Sequence, residues 1–232
     1  ILTLGAASFC VQIAAAILNF ATNYLLVTYG AQSAIGESAA LASIGLVQRV
    51  AMFAVMPLIG VSTAIQPILG FNYGAKIYKR VRTTLYDGVI LATCLAVFMF
   101  SLVHIFPDQI IGFFGLTDPS LMEFAVFALK VQLLMIPIVG AQIVGSNYFQ
   151  ATGQPAKSTI LSLTRQVLFL LPLMFWLPEV LPTWFSQFTG LDALYIATPV
   201  ADFLSIFVTA IFIAVEMRRL GKVERGEVTA NY

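Results

Sequence analysis

Of the 232 residues, 59% are apolar and only 10% are charged, and the mean hydropathy is +0.92. An ordinary soluble domain carries roughly 25% charged residues. This chain has no polar skin for a water-soluble core, which excludes a cytosolic globular enzyme, a disordered chain and a nucleic-acid binder. Lys and Arg number 12 against 11 Asp and Glu, so there is no basic field for phosphate, and one His with two Cys excludes a His/Cys-rich metal site.

A membrane helix takes ~20 mostly apolar residues, and six segments qualify: 3–29, 41–69, 84–106, 122–149, 158–178 and 193–217. They exceed the ~10-residue, strictly alternating strands of a barrel, so the expected fold class is an all-α membrane protein. The first span carries Gln12, Asn19 and Asn23, spaced by seven and four and so on one face. That face is expected to look inward, as helix–helix contact or as cavity wall. The second carries Arg49, then Met52 and Met56 one turn apart, which suit plain packing or a promiscuous pocket, and Pro57. His104 lies near the end of the third. Asp118-Pro119-Ser120 opens the fourth, which contains Lys130 and Pro137, with Gln142, Asn147 and Gln150 read as packing or gate residues. Thr152-Gly153-Gln154-Pro155 is a turn into the fifth. The sixth carries Pro199 and Asp202. Cys10 and Cys94 stand in apolar runs and read as buried thiols.

Charge placement orients the spans. Lys76, Lys79, Arg80 and Arg82 fall between spans two and three, and Lys157 and Arg165 lie at the start of span five. Arg218, Arg219, Lys222 and Arg225 follow span six. The opposite connections contain only acids: Glu37, Asp108, Asp118, Glu179 and Asp192. The positive-inside rule places the basic side in the cytoplasm, with both ends of the segment there. The lobe is expected to run to residue 220, followed by a polar tail, 221–232. Ile1 at the lip of a helix, with no basic flank and no cleavage site, suggests a piece of a longer chain.

Charge inside hydrocarbon is costly and suggests function. At ~1.5 Å per residue, Arg49, Lys130 and Asp202 sit roughly 12–14 Å below the outer ends of their helices. Asn19 and Asn23 fall in the same layer. Asp202 is expected either to pair with Lys130 as a structural tie or to belong to a cation-coupling, water-filled cavity. The two readings are compatible.

The turns Gln66-Pro67-Ile68-Leu69-Gly70-Phe71-Asn72-Tyr73-Gly74-Ala75-Lys76 and Gln150-Ala151-Thr152-Gly153-Gln154-Pro155-Ala156-Lys157 echo each other, and internal symmetry is common among transporters. With Pro57-Leu58-Ile59-Gly60, Tyr148-Phe149 and Ser162-Leu163-Thr164-Arg165-Gln166 they resemble the multidrug and toxic compound extrusion (MATE) family, bacterial multidrug-export branch. The resemblance implies two six-helix lobes, of which this chain is the C-terminal one, and a missing N-terminal lobe as its partner. It also implies an antiporter in the cell membrane that exports varied, often cationic drugs against H⁺ or Na⁺ by alternating access. No cofactor and no nucleic acid are implied. A lipid-linked or glycan flippase of the same superfamily and a non-transporting membrane scaffold are the competing readings. No Gly-rich phosphate loop with Lys-Ser/Thr, no HExxH and no GxSxG is present, so no enzyme is expected.

Overall fold

The computed structural model describes residues 2–31, 37–116, 118–185 and 187–224. Among these residues there is no strand. The elements are α1 (Leu2–Ala31), α2 (Glu37–Gly74), α3 (Tyr78–Ile105), α4 (Pro107–Phe113), α5 (Pro119–Gln132), α6 (Ile136–Ala151) and α7 (Pro155–Leu163). A π-helical segment (Thr164–Leu170), α8 (Leu171–Trp184) and α9 (Gly190–Glu224) complete the chain. Five helical stretches are long and apolar enough to cross a bilayer. The pair α5 and α6, bent by 46° where they meet, makes a sixth.

Proline chemistry explains the two interruptions. Pro137 has no N–H to continue the ladder and stands in the first turn of α6, so the fourth span breaks and restarts there. Pro172 stands in the first turn of α8. Just before it the helix widens to the π form, and Leu171 N–H donates to Gln166 O, five residues back. Such a widening inserts one residue and turns the side chains around it relative to an α-helix.

The two echoing turns close their helices alike. Ile77 N–H donates to Asn72 O at 2.9 Å, and Gln154 N–H donates to Phe149 O at 2.8 Å. Each bond spans a residue in the left-handed region, Lys76 (φ 60) and Gly153 (φ 75), as in a Schellman cap. Glycine adopts that conformation freely and lysine does so at a cost.

The helices pack around two buried apolar clusters. One lies at the basic end and includes Leu69, Val81, Tyr148, Phe149, Leu161 and Leu220. The other lies toward the opposite end around Val47, Leu58, Leu129, Ile136 and Leu194. Small residues let backbones approach: a Cβ at Gly140 of α6 would stand 3.1 Å from Ala92 O of α3, a close helix crossing typical of membrane packing.

Several boundaries differ from expectation. The connection after α3 contains a short helix, α4. Helix α8 continues through Glu179 to Trp184, and α9 continues through the expected boundary at 220 to Glu224. Residues 225–232, with Arg225, and Ile1 lie outside the described residues. Cys10 and Cys94 are exposed on the surface of this bundle; the thiols expected inside it face outward, because each apolar run has an outer as well as an inner face.

Candidate functional site: two polar cavities in the helix bundle

Two adjoining cavities open within the bundle. The larger, about 520 Å³, lies toward the basic end and is bordered by Gln12, Gln142, Ser146, Asn147, Arg165 and Gln166 among apolar residues. Five elements line it: α1, α2, α6, α7 and the π segment; α1 packs on α2 and α7, α6 packs on the same two, and α1 and α6 are not in contact among the described residues. The smaller, about 240 Å³, is bordered by Asn19, Thr22, Gln48, Gln132, Gln166 and Tyr195. Gln166, in the π segment, borders both.

Asp202 is 4% exposed on α9 and accepts a hydrogen bond from Arg165 Nε at 2.5 Å. This corrects the expected pairing with Lys130. Lys130 is half-buried and Arg49 exposed, and neither has an acidic partner among the described residues. The physical reason is the π segment, which packs along α9 and aims Arg165 at the acid. A guanidinium retains its charge when partly buried and bonds directionally. Around the pair, Gln142 Nε2 donates to Ser205 Oγ at 3.0 Å, and Ser205 Oγ donates to Asp202 O at 2.9 Å. Asn147 Nδ2 donates to Ser62 Oγ at 2.5 Å, tying α6 to α2. Gln150 is exposed.

The smaller cavity is rich in oxygens without partners. Gln132 Nε2 donates to Gln48 Oε1 at 3.2 Å, which orients its amide. Gln132 Oε1, Gln166 Oε1 and Tyr195 OH are buried and have no hydrogen-bond partner among the described residues. Buried polar atoms are nearly always satisfied; these three oxygens are closed off from the space itself but belong to residues that border one cavity, so a small rearrangement of its wall would present them to a polar occupant.

Of the sequence candidates, Gln12 borders the larger cavity and Asn19 the smaller. Asn23, Met52 and Met56 border neither and are exposed. Met52 and Met56 share an exposed apolar stripe of α2 with Phe53 and Ile59, beside the exposed Phe9, Ile13, Ile17 and Phe20 of α1. Sequence reasoning missed Arg165, assigned to the cytoplasmic count, and the amides Gln48, Gln132 and Gln166. The depth arithmetic applied to Arg49 would have flagged Arg165, which lies eight residues, roughly 12 Å, past Lys157.

A second buried acid was also missed. Glu216, 1% exposed on α9, accepts from Lys157 Nζ at 2.9 Å and from Gln154 Nε2 at 3.1 Å, with Arg219 Nη1 at 3.6 Å. It ties the end of α9 to the turn between α6 and α7.

The MatE family model matches residues 7–176, most of the chain. The chain belongs to the MatE family. Among its relatives is the multidrug export protein MepA of Staphylococcus haemolyticus (strain JCSC1435), 26% identical over 208 residues, which are 90% of this chain and 43% of the relative. Solved structures of a multidrug resistance MATE family transporter of the MOP superfamily have the same fold. An outward-facing one superimposes with a TM-score of 0.79 at 19% identity, covering 94% of this chain and 46% of that one. An inward-facing one gives 0.78 at 19%, covering 94% and 47%. The MatE chain therefore spans about half the length of the relatives it matches, and its fold is that of one lobe. Its apolar spans and this family make it a multi-pass membrane protein.

Proposed function

We propose that this chain acts as one half of a secondary active exporter in the cell membrane. In this reading it moves varied, amphipathic, often cationic compounds outward in exchange for H⁺ or Na⁺. The observation that carries the reading is the pair of cavities with polar side chains in their walls, one beside a buried Asp202–Arg165 pair, in a largely apolar bundle. A structural tie between two helices needs no such space. The relatives named as multidrug export proteins supply the class of cargo, and their double length supplies the partner: a second six-helix lobe docked on the exposed stripes of α1 and α2. Near-equal TM-scores against an outward- and an inward-facing structure favour a lobe that keeps its shape while access alternates around it.

Asp202 is the candidate coupling carboxylate on this half. Uptake of a proton or a metal cation there would remove or share the charge that holds Arg165 and would bias one packing over another. A small rearrangement of Gln132, Gln166 and Tyr195 would offer a cation neutral oxygens nearby. Lys130 and Arg49 serve in this reading as the outer edge of the same layer. The basic end faces the cytoplasm by the positive-inside rule. A cysteine placed at Lys79 in a cysteine-free background then reacts with impermeant reagent only from inside, and one at Gly112 only from outside. Reversed labelling overturns the orientation. The test of function is ethidium efflux from cells expressing the full-length protein. Efflux that collapses with the proton or sodium gradient supports the exporter, and accumulation equal to that of non-expressing cells sinks it.

A further inference from the structure

The Asp202–Arg165 pair uses only part of the arginine. Asp202 accepts from Nε alone. Nη1 and Nη2, the outer edge of the planar fork, have no hydrogen-bond partner among the described residues. The Arg165 side chain keeps 31% of its surface, and it borders the cavity of about 520 Å³. Bare guanidinium N–H groups inside a membrane are expensive, whereas two parallel N–H groups on a fixed plane match the two oxygens of a carboxylate. The buried Asp202 holds that plane in place, so the fork is oriented before anything arrives.

We infer that the larger cavity is a binding site for an amphiphile bearing a carboxylate, anchored end-on by Arg165 Nη1 and Nη2. This rests on the transport reading and names a class of cargo for it. Three features of the cavity narrow the ligand. Arg165 is its only cationic lining residue among the described residues, and one fork matches a monoanion better than a phosphate dianion. The Ser162 hydroxyl, one turn before Arg165, and the Gln12 amide across on α1 are donors with no internal partner among the described residues, suited to the flank of a bound carboxylate. The remaining wall is apolar, with Val55, Ile59 and Ile143, and the volume lies within the ~300–1,000 Å³ of ordinary small-molecule pockets. Among the described residues no acid lines this cavity, so an organic cation meets no counter-charge in its wall.

The test uses the purified full-length protein in nanodiscs and two probes, N-dansyl-6-aminohexanoic acid and its methyl ester, titrated by dansyl fluorescence without any gradient. The probes differ in charge at one end and share their apolar body, so the ratio of their Kd values isolates the anchor from partitioning into lipid. The wild type is expected to bind the acid at least about tenfold more tightly than the ester, the step that one good charged contact makes. Arg165→Gln should bring the ratio to about one, and Arg165→Lys, which keeps the charge without the fork, should leave an intermediate ratio. If Arg165→Gln does not fold, the neutral pair Arg165→Gln with Asp202→Asn replaces it, and a ratio of about one is again expected. A wild-type ratio of one, or a ratio that persists without Arg165, overturns the proposal. Because the assay needs no flux, a protein that pumps nothing and still discriminates keeps this site and loses the exporter reading. A protein that pumps ethidium with a ratio of one loses only the site.

Discussion

Asp202 and Glu216 stand fourteen residues apart on α9, close to four turns, and therefore on nearly one face. Each is almost wholly buried and each meets a base from the fifth span. Their surroundings differ. Both oxygens of Glu216 are occupied: Oε2 takes Lys157, and Oε1 takes Gln154 with Arg219 beside it. Lys157 also stands 5.3 Å over the Phe149 ring, and Glu216 borders neither cavity. Asp202 has one base, bonded through one nitrogen, beside a space large enough for a ligand. Saturation separates the two: a fully satisfied buried acid is a strut, because every change in its partners costs energy. A buried acid whose partner keeps bare donors beside a cavity has something left to bind.

The largest expected effect is on transport. Asp202→Asn keeps the size of the side chain and an oxygen that can still accept from Arg165, so membrane expression of the full-length protein should stay near normal. If Asp202 couples, gradient-driven ethidium efflux should fall at least tenfold. If Asp202 is only a tie, expression should fall instead, since breaking a buried pair costs about 3–5 kcal/mol, and adding Arg165→Met should restore it. Normal efflux with normal expression removes Asp202 from both roles and collapses the contrast with Glu216.

Next in size is Lys157→Met. It takes the nearest base from Glu216 but leaves Gln154 and Arg219. Because Lys157 is itself about one-third exposed, the loss should be smaller than for a fully buried pair, about 1–3 kcal/mol. Thermal unfolding of the purified protein should register it, while efflux per folded molecule stays unchanged. A drop in efflux per molecule with unaltered melting would make the strut a working part and reverse the assignment.

How much of this was legible follows from what each feature depends on. The six spans could be read because crossing hydrocarbon demands a long apolar run, and Asp202 stood out because an acid in such a run is rare. Depth alone would have flagged Arg165, but not that it pairs with Asp202. A residue inserted by the π segment before Pro172 shifts the phase of Arg165 against its neighbours, and a count by 3.6 residues per turn does not contain that shift. Gln132, which meets Gln48, is the last residue of α5 before the fourth span breaks, and sequence gives Pro137 but not the 46° bend there. Glu216, at the rim of the sixth span, could not be read as buried, since burial there is created by the turn around Gln154 that folds over it. Met52 and Met56 were legible as residues and not as positions: an apolar pair fits a pocket wall and an exposed stripe equally well.

The smallest expected effect concerns Gln154. Its side chain donates to Glu216 Oε1 at 3.1 Å and to Thr152 Oγ1 at 3.3 Å. It stands at the start of α7 but makes no side-chain cap bond there, and the path of the turn is carried by Gly153 and Pro155. Gln154→Ala should therefore leave the chain's course intact and remove one bond to a charged oxygen, at a cost of about 1 kcal/mol in thermal unfolding. The context decides whether Glu216 is a hub. In the Lys157→Met background the acid relies on Gln154 and Arg219 alone, so the same substitution should cost at least ~0.5 kcal/mol more than it does in the wild type. In the Asp202→Asn background, roughly 21 Å along α9, it should cost the same as in the wild type. Strict additivity with Lys157→Met would mean that the two donors do not act through a common acid. Coupling to Asp202 would mean that the strut and the cavity pair form one network.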